Sequence, residues 1–454
     1  MFDYAQFAER LEAMQFTSIS FLFHFLPIFL VLYYIADVRF KNTILLIGSV
    51  IYYGASVQWA PIPIAVLLVI TFLTYFAGIA IERKPLRWLF PLMIVTLACV
   101  MIFFKCVDGG KLFPVGMSFY LFQVTAYLVC IYQGKLEAEK NIICYGTQVM
   151  MFPKITSGPL CDPVQLQKQT RERSVTAQDF HRGLQMLIIG MALKVLIANR
   201  IGGLWNQAAV IGYESISTPF AWLSLTGYAM KLYFDFFGYS VMAMGVGRMM
   251  GFRLPRNFDD PYISRSVSEF YRRWHVSLGL WFRNNIYIPM GGNRKGTLMT
   301  VVNLLVVWTF TGLWHGVGGN YLLWAGVLAF FIILERLFLR KWLDKSHVLS
   351  RIYVVFIILV SWVPFAIGDW NLMLTFLGRM FGVGGAIGNA GEFGYWFKEY
   401  AALLIPGVLL MTGIPGKLWY WIEDSWLADV ICFVLFWVCV YFICTASQDP
   451  FMYF

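Results

Sequence analysis

Long apolar runs, separated by short polar and mostly basic segments, organise this chain from end to end. Residues 42–81 contain no Asp, Glu, Lys or Arg and predict two helices broken at Pro61 and Pro63. Residues 296–334 hold one ionisable side chain, His315, and break at the Gly-rich stretch from Gly316 to Asn320. Further runs lie at 16–36, 87–105, 115–133, 183–200, 218–238, 351–369, 399–414 and 428–446. About 20 apolar residues are needed to cross ~30 Å of hydrocarbon. Backbone polar groups cannot stay unpaired in lipid, so spans must be helices or barrel strands. The runs lack the strict alternation of a barrel strand. Residues 141–152 are too short to cross and predict a re-entrant or half helix. The pattern therefore predicts an all-α, polytopic membrane protein of about eleven to thirteen transmembrane or re-entrant helices, one membrane domain over 1–454.

Composition supports this: 59% of residues are hydrophobic and 13% charged, against about a quarter charged in soluble domains. The net charge of +10 would suit nucleic acid, but it sits in short loops between spans, where it reports orientation. With Arg39 and Lys41 in the cytoplasm, Arg83, Lys84, Arg87, Lys135, Lys140 and the segment from Lys168 to Arg182 also fall inside. So do residues 248–297, with nine Lys/Arg against three Asp/Glu, and residues 335–351, with five basic side chains. This places the N-terminus outside. The chain opens without a signal-peptide pattern, and residues 1–13 read either as a short amphipathic helix on the membrane surface or as a stretch ahead of a native start at Met14. The eight cysteines form no CxxC pair and read as small packing residues, not as metal ligands.

Residues 248–297 are too long for a simple loop. From Ser264 to Ile288, Phe270, Trp274, Leu278 and Trp281 recur at helical spacing, while Arg272, Arg273 and Arg283 lie off that stripe. This predicts an amphipathic helix at the cytoplasmic surface or dipping into the protein, with lipid-headgroup binding as the alternative use.

Five histidines narrow the search for chemistry. His24 is expected to face a neighbouring helix, and His181 and His347 to be solvated among loop charges. His315 is different, because an ionisable group alone at membrane depth is costly and commonly marks function. Its intrinsic pKa suits proton transfer near neutrality. The bland alternative is a histidine bonded to a carbonyl on a neighbouring helix. His275 follows Arg272, Arg273 and Trp274, and that arginine pair suits phosphate, which an acyl donor such as coenzyme A presents. A surface histidine on a basic helix is the competing reading. Asp235 closes a long span and must pair, with an arginine of the following segment, or line a wet cavity. No phosphate loop, GxSxG or HExxH motif occurs, and no nucleophile lies beside a base, so direct transfer is simpler than a ping-pong route.

Six segments carry a resemblance: FLFHFLPIFLVLYY (21–34), FPKITSGPL (152–160), YFDFFGYSVMAMGVGRMMGF (233–252), NFDDPY (257–262), EFYRRWHVSLGLWFRNNIYIPMGGNRKG (269–296) and TGLWHG (311–316). In this order they resemble the membrane-bound O-acyltransferases, specifically the alginate O-acetyltransferase-like branch. The resemblance implies a ring of helices around a central funnel and a multi-pass protein of the bacterial inner membrane. It also implies that His315 sits in a cavity reached from outside and His275 toward the cytoplasm. Val241 departs from the Asp common after GYS, and Tyr271 from the Trp common before RRWH. These departures touch the substrate, since teichoic acid D-alanyl transferases share much of the RRWH block, whereas IPMGGNRKG (288–296) leans to acetyltransferases.

The resulting expectation is transfer of an acyl group, acetyl above all, from acetyl-CoA or another acyl thioester docked near Arg272, Arg273, Trp274 and His275. His315, beside Trp314, would act as general base on a hydroxyl of an exported polysaccharide or of an extracytoplasmic partner that carries the acetyl group onward. Asn320 or nearby backbone N–H groups would stabilise the oxyanion. No tightly bound cofactor is expected. Expected partners are membrane lipid, the donor and, from the resemblance alone, an extracytoplasmic SGNH-type acetyltransferase. The rivals are D-alanyl transfer from an acyl carrier protein to teichoic acid, and a transporter or channel.

Overall fold

A computed structural model describes residues 14–107, 112–383 and 390–445; the predicted surface helix at 1–13 lies outside them. The described chain is helical throughout, and its one β-type pairing there is an isolated bridge between Phe258 and Trp274. The described residues form two compact units, one from 14–107, 112–191, 239–256 and 443–445, the other from 192–238, 257–383 and 390–442.

The first unit contains α1 (Ser20–Ile35), α2 (Lys41–Ser56), α3 (Pro61–Glu82), α4 (Leu89–Cys106), α5 (Met117–Tyr132), α6 (Ile142–Met150), α7 (Phe152–Ile155) and α8 (Pro163–Arg171). Pro61 opens α3, where its missing N–H costs nothing, so the predicted break is a helix start. The segment predicted as a half helix is α6 with α7, nine and four residues long. Phe152 of α7 packs edge-on against Phe25 of α1 at 5.3 Å and lies tilted against Tyr52 of α2 at 5.4 Å. Phe21 of α1 is buried, whereas His24 is exposed and does not face a neighbouring helix as predicted.

The remaining helices are α9 (Ala177–Ile211), α10 (Thr218–Met249), α11 (Val267–Arg273), α12 (Val276–Phe282), α13 (Gly296–His315), α14 (Gly319–Leu343), α15 (His347–Ala366), α16 (Trp370–Met380), α17 (Ala390–Met411), α18 (Ile414–Ile422) and α19 (Trp426–Thr445). The boundary between the units falls within α9 and within α10. Among the described residues, seven helices (α3, α4, α9, α13, α14, α15 and α19) are long and apolar enough to cross a membrane. The pair α17 and α18, bent by 78°, makes an eighth span or a re-entrant loop, and α1 and α5 are shorter apolar helices. The protein is thus polytopic and all-helical, its membrane-length helices accompanied by a broken pair and shorter apolar pieces.

One predicted element is corrected. The amphipathic stripe from Ser264 to Ile288 does not form one helix but two, α11 and α12, each of seven residues, with Trp274 and His275 between them.

Candidate active site

The break between α11 and α12 has a local cause. The Asn257–Asp259 loop captures the backbone groups a continuous helix would have used: Asp259 N–H donates to Arg273 O at 3.0 Å, and Val276 N–H to Asn257 O at 2.9 Å. Ser277 Oγ donates to Asn257 Oδ1 at 2.5 Å. His275 is left with φ of +49°, a left-handed conformation that is uncommon outside glycine and worth noticing at a candidate site. Its ring is buried, and Phe236 of α10 packs edge-on against it at 4.7 Å. Burial pushes the imidazole down from 6.5 to about 3, so His275 is neutral at physiological pH.

His315 ends α13 and is half-buried. A Cβ on Gly312 would come within 3.0 Å of Ala325 Cβ and of Tyr321 O, so a glycine there lets α13 and α14 close on each other. That approach sets His315 among aromatic rings: Trp314 at 4.4 Å, Trp324 at 4.9 Å and Phe365 at 5.0 Å between centroids. Trp314 is buried, with its ring 6.2 Å from that of His275. Asn320 is buried too, and its Nδ2 donates to Pro364 O at 3.0 Å, fastening the first turn of α14 to the end of α15.

The two histidines do not occupy separate sites. Within the second unit, a cavity of about 930 Å³ is lined by both, together with Arg272, Trp274, Trp308 and Trp324. On α14 its lining runs from Trp324 to Leu343, roughly 28 Å at ~1.5 Å per residue. Trp314, Asn320 and Asp235 are not among the lining residues.

Adjacent arginines diverge at this site. Arg272 lines the cavity, whereas Arg273 does not; its guanidinium is held by Glu269 at 2.9 Å and by the carbonyl of Asp259 at 3.0 Å. Arg265, Arg283, Arg336 and Arg340 also line the cavity. In the sequence these four read only as topological or surface charge, because nothing local shows that α14 returns to the segment around α11. Glu335 makes that junction: its buried carboxylate accepts from Val267 N–H at 2.6 Å and Ser268 N–H at 3.1 Å, the first turn of α11.

Asp235 pairs with Lys194 of α9, not with an arginine of the segment that follows it. Both side chains are 3% exposed. Lys194 carried the same signal in the sequence as Asp235, an ionisable group within an apolar run, and a buried charge survives only when paired.

A profile of the membrane-bound O-acyltransferase family matches residues 81–377. The chain is 34% identical over 398 residues to the probable alginate O-acetylase AlgI of Pseudomonas putida, covering 82% of this chain and 81% of that protein. It is 25% identical to the peptidoglycan O-acetyltransferase of Helicobacter pylori, covering 83% and 81%. The teichoic acid D-alanyltransferase of Bacillus subtilis is 27% identical over 243 residues, covering 51% of this chain and 60% of that protein.

Proposed function

We propose, from the premise that this chain belongs to the membrane-bound O-acyltransferase family, that it moves an acetyl group from a cytoplasmic thioester to a hydroxyl of an exported polysaccharide. The chain is a multi-pass membrane protein and an O-acyltransferase acting on polysaccharide; the transporter reading gives way to membership in an enzyme family. The donor, the route and the bacterial inner membrane as its place are the proposal. One observation carries it: a cavity with arginines along one part of its lining also contains His275 and His315.

In this reading the phosphate end of the donor rests on the arginines, and the thioester extends past Trp274 and His275 toward His315. His275, neutral through burial, offers a ring N–H to the thioester carbonyl, an interaction that strengthens as negative charge develops on that oxygen. His315 takes the proton from the acceptor hydroxyl as its oxygen attacks the carbonyl carbon. The tetrahedral intermediate collapses with cleavage of the C–S bond, and the proton on His315 passes to the departing thiolate. Ester and free thiol are the products, and no enzyme-bound acyl group is needed.

The deciding experiment is acetyl transfer by purified protein in detergent, from radiolabelled acetyl-CoA to an acceptor polysaccharide. His315→Ala should lower kcat at least about a thousandfold while leaving donor affinity within about twofold. Full activity in that variant would end the assignment of the base. Turnover only with a carrier-protein thioester would move the chain to the chemistry named for its D-alanyltransferase relatives.

A further inference from the structure

His275 lines the cavity, yet several of the residues that fix its backbone do not. Residues 257–259 run antiparallel to the break between α11 and α12 and tie it on both sides of the histidine. Before His275, the Asp259 N–H donates to Arg273 O at 3.0 Å, and the Arg273 guanidinium donates back to the Asp259 carbonyl at 3.0 Å. Phe258 and Trp274 form the isolated bridge, their rings edge-on at 5.0 Å. After His275, Asn257 holds the start of α12 at two points. Its carbonyl accepts from Val276 N–H at 2.9 Å, and its Oδ1 accepts from Ser277 Oγ at 2.5 Å. Asn257 and Ser277 are both buried, and neither lines the cavity. A residue with a β-carbon stays at a φ of +49° only where its surroundings over-determine it. The periodicity of residues 264–288 favours a helix running straight through Trp274 and His275. Such a helix needs a negative φ at His275 and would send the imidazole in another direction.

We infer that Asn257 is a positioning residue for the reaction: by holding the first turn of α12, it fixes His275 in the left-handed conformation that turns the imidazole into the cavity. This rests on the acyl-transfer reading, in which that ring meets the thioester carbonyl, and adds to it the residue that aims the ring. Phe236 of α10 completes the arrangement. Its ring is edge-on both to His275 at 4.7 Å and to Phe258 at 5.1 Å, so the imidazole is fixed by its backbone and by its ring. Asn257 acts on His275 alone, through the chain, and touches no reacting atom.

The test couples Asn257 to His275. In acetyl transfer from radiolabelled acetyl-CoA, Asn257→Ala should lower kcat about a hundredfold while the donor KM stays within about twofold. Ser277→Ala removes the same bond from the other side and serves where Asn257→Ala does not fold; Ser277→Thr, which keeps the hydroxyl, should retain most of the activity. In a His275→Gly background the aimed ring is gone, so Asn257→Ala should change the residual kcat by less than about twofold. A full second loss in that background would mean that Asn257 acts elsewhere, and it overturns the positioning role. Melting temperatures give a reading independent of activity. Glycine adopts a left-handed conformation freely and alanine is strained there, whereas alanine is the better residue in a helix. His275→Gly should therefore melt above His275→Ala when Asn257 is present, and the margin should shrink or reverse with Asn257→Ala. An unchanged margin overturns the positioning role even if every variant is inactive. A margin that responds to Asn257, beside full kcat in His275→Gly, supports the hold on the backbone and defeats the part given to His275 in acyl transfer instead.

Discussion

At the scale of single residues, His275 is held as a neutral imidazole. Its folded pKa of about 3 lies below the ordinary 6.5, because burial disfavours the imidazolium. A depressed pKa means that folding favours the uncharged form. That contribution is full above pH 6.5 and is lost progressively as the pH falls toward 3. The melting temperature of the wild type should therefore drop more steeply than that of His275→Gln between about pH 7.5 and about pH 5. Parallel melting curves for the two proteins would mean that the ring is hydrated. The two key histidines were legible in the sequence for different reasons. His315 stood alone in 296–334, and charge isolation at membrane depth is a strong signal. His275 was legible only as the neighbour of two arginines. Its burial was not, because its backbone leaves the helix whose periodicity would have placed it near the surface.

At the scale of elements, the apolar runs became helices nearly where hydropathy put them, and the Gly-rich stretch from Gly316 to Asn320 became the turn between α13 and α14 and the opening of α14. What the pattern could not give was the division into α11 and α12. Helical periodicity continues through Trp274 and His275, and the groups that break it come from the remote loop Asn257–Asp259. The same limit hid Glu335, which in the sequence is one more charge at the end of an apolar run. In the fold its carboxylate accepts the first N–H groups of α11 and so sets the helix that carries Arg272 toward the cavity. Glu335→Ala leaves two amides without their charged acceptor, at a cost of about 1–3 kcal/mol. We expect the variant to melt at lower temperature and its KM for donor to rise several-fold, with kcat changed less. A loss confined to kcat would count against a positioning role.

At the scale of the whole molecule, the distribution of basic residues predicts which side each loop faces, and α14 makes that prediction strict. Its 25 residues, Gly319–Leu343, rise roughly 37 Å at ~1.5 Å each, more than the ~30 Å of hydrocarbon. Val317, just before the helix, and Lys345, just after it, must then lie on opposite faces if α14 crosses without a steep tilt. The basic stretch 335–351 assigns the Lys345 end to the cytoplasm. In a background lacking the exposed Cys99, Cys106 and Cys444, an impermeant maleimide should label Val317→Cys in intact cells. Lys345→Cys should react only after permeabilisation. The arrangement matters for the reaction because the cavity follows α14 from Leu343 to Trp324, the ring beside His315. Under the proposed reaction, a donor entering among the arginines from the cytoplasm would be carried across most of the bilayer toward an acceptor on the outer side. Labelling of both positions from the same side would remove that vector. It would require donor and acceptor to share one entrance, and the arginine-lined end of the cavity could not then be a donor port facing the cytoplasm.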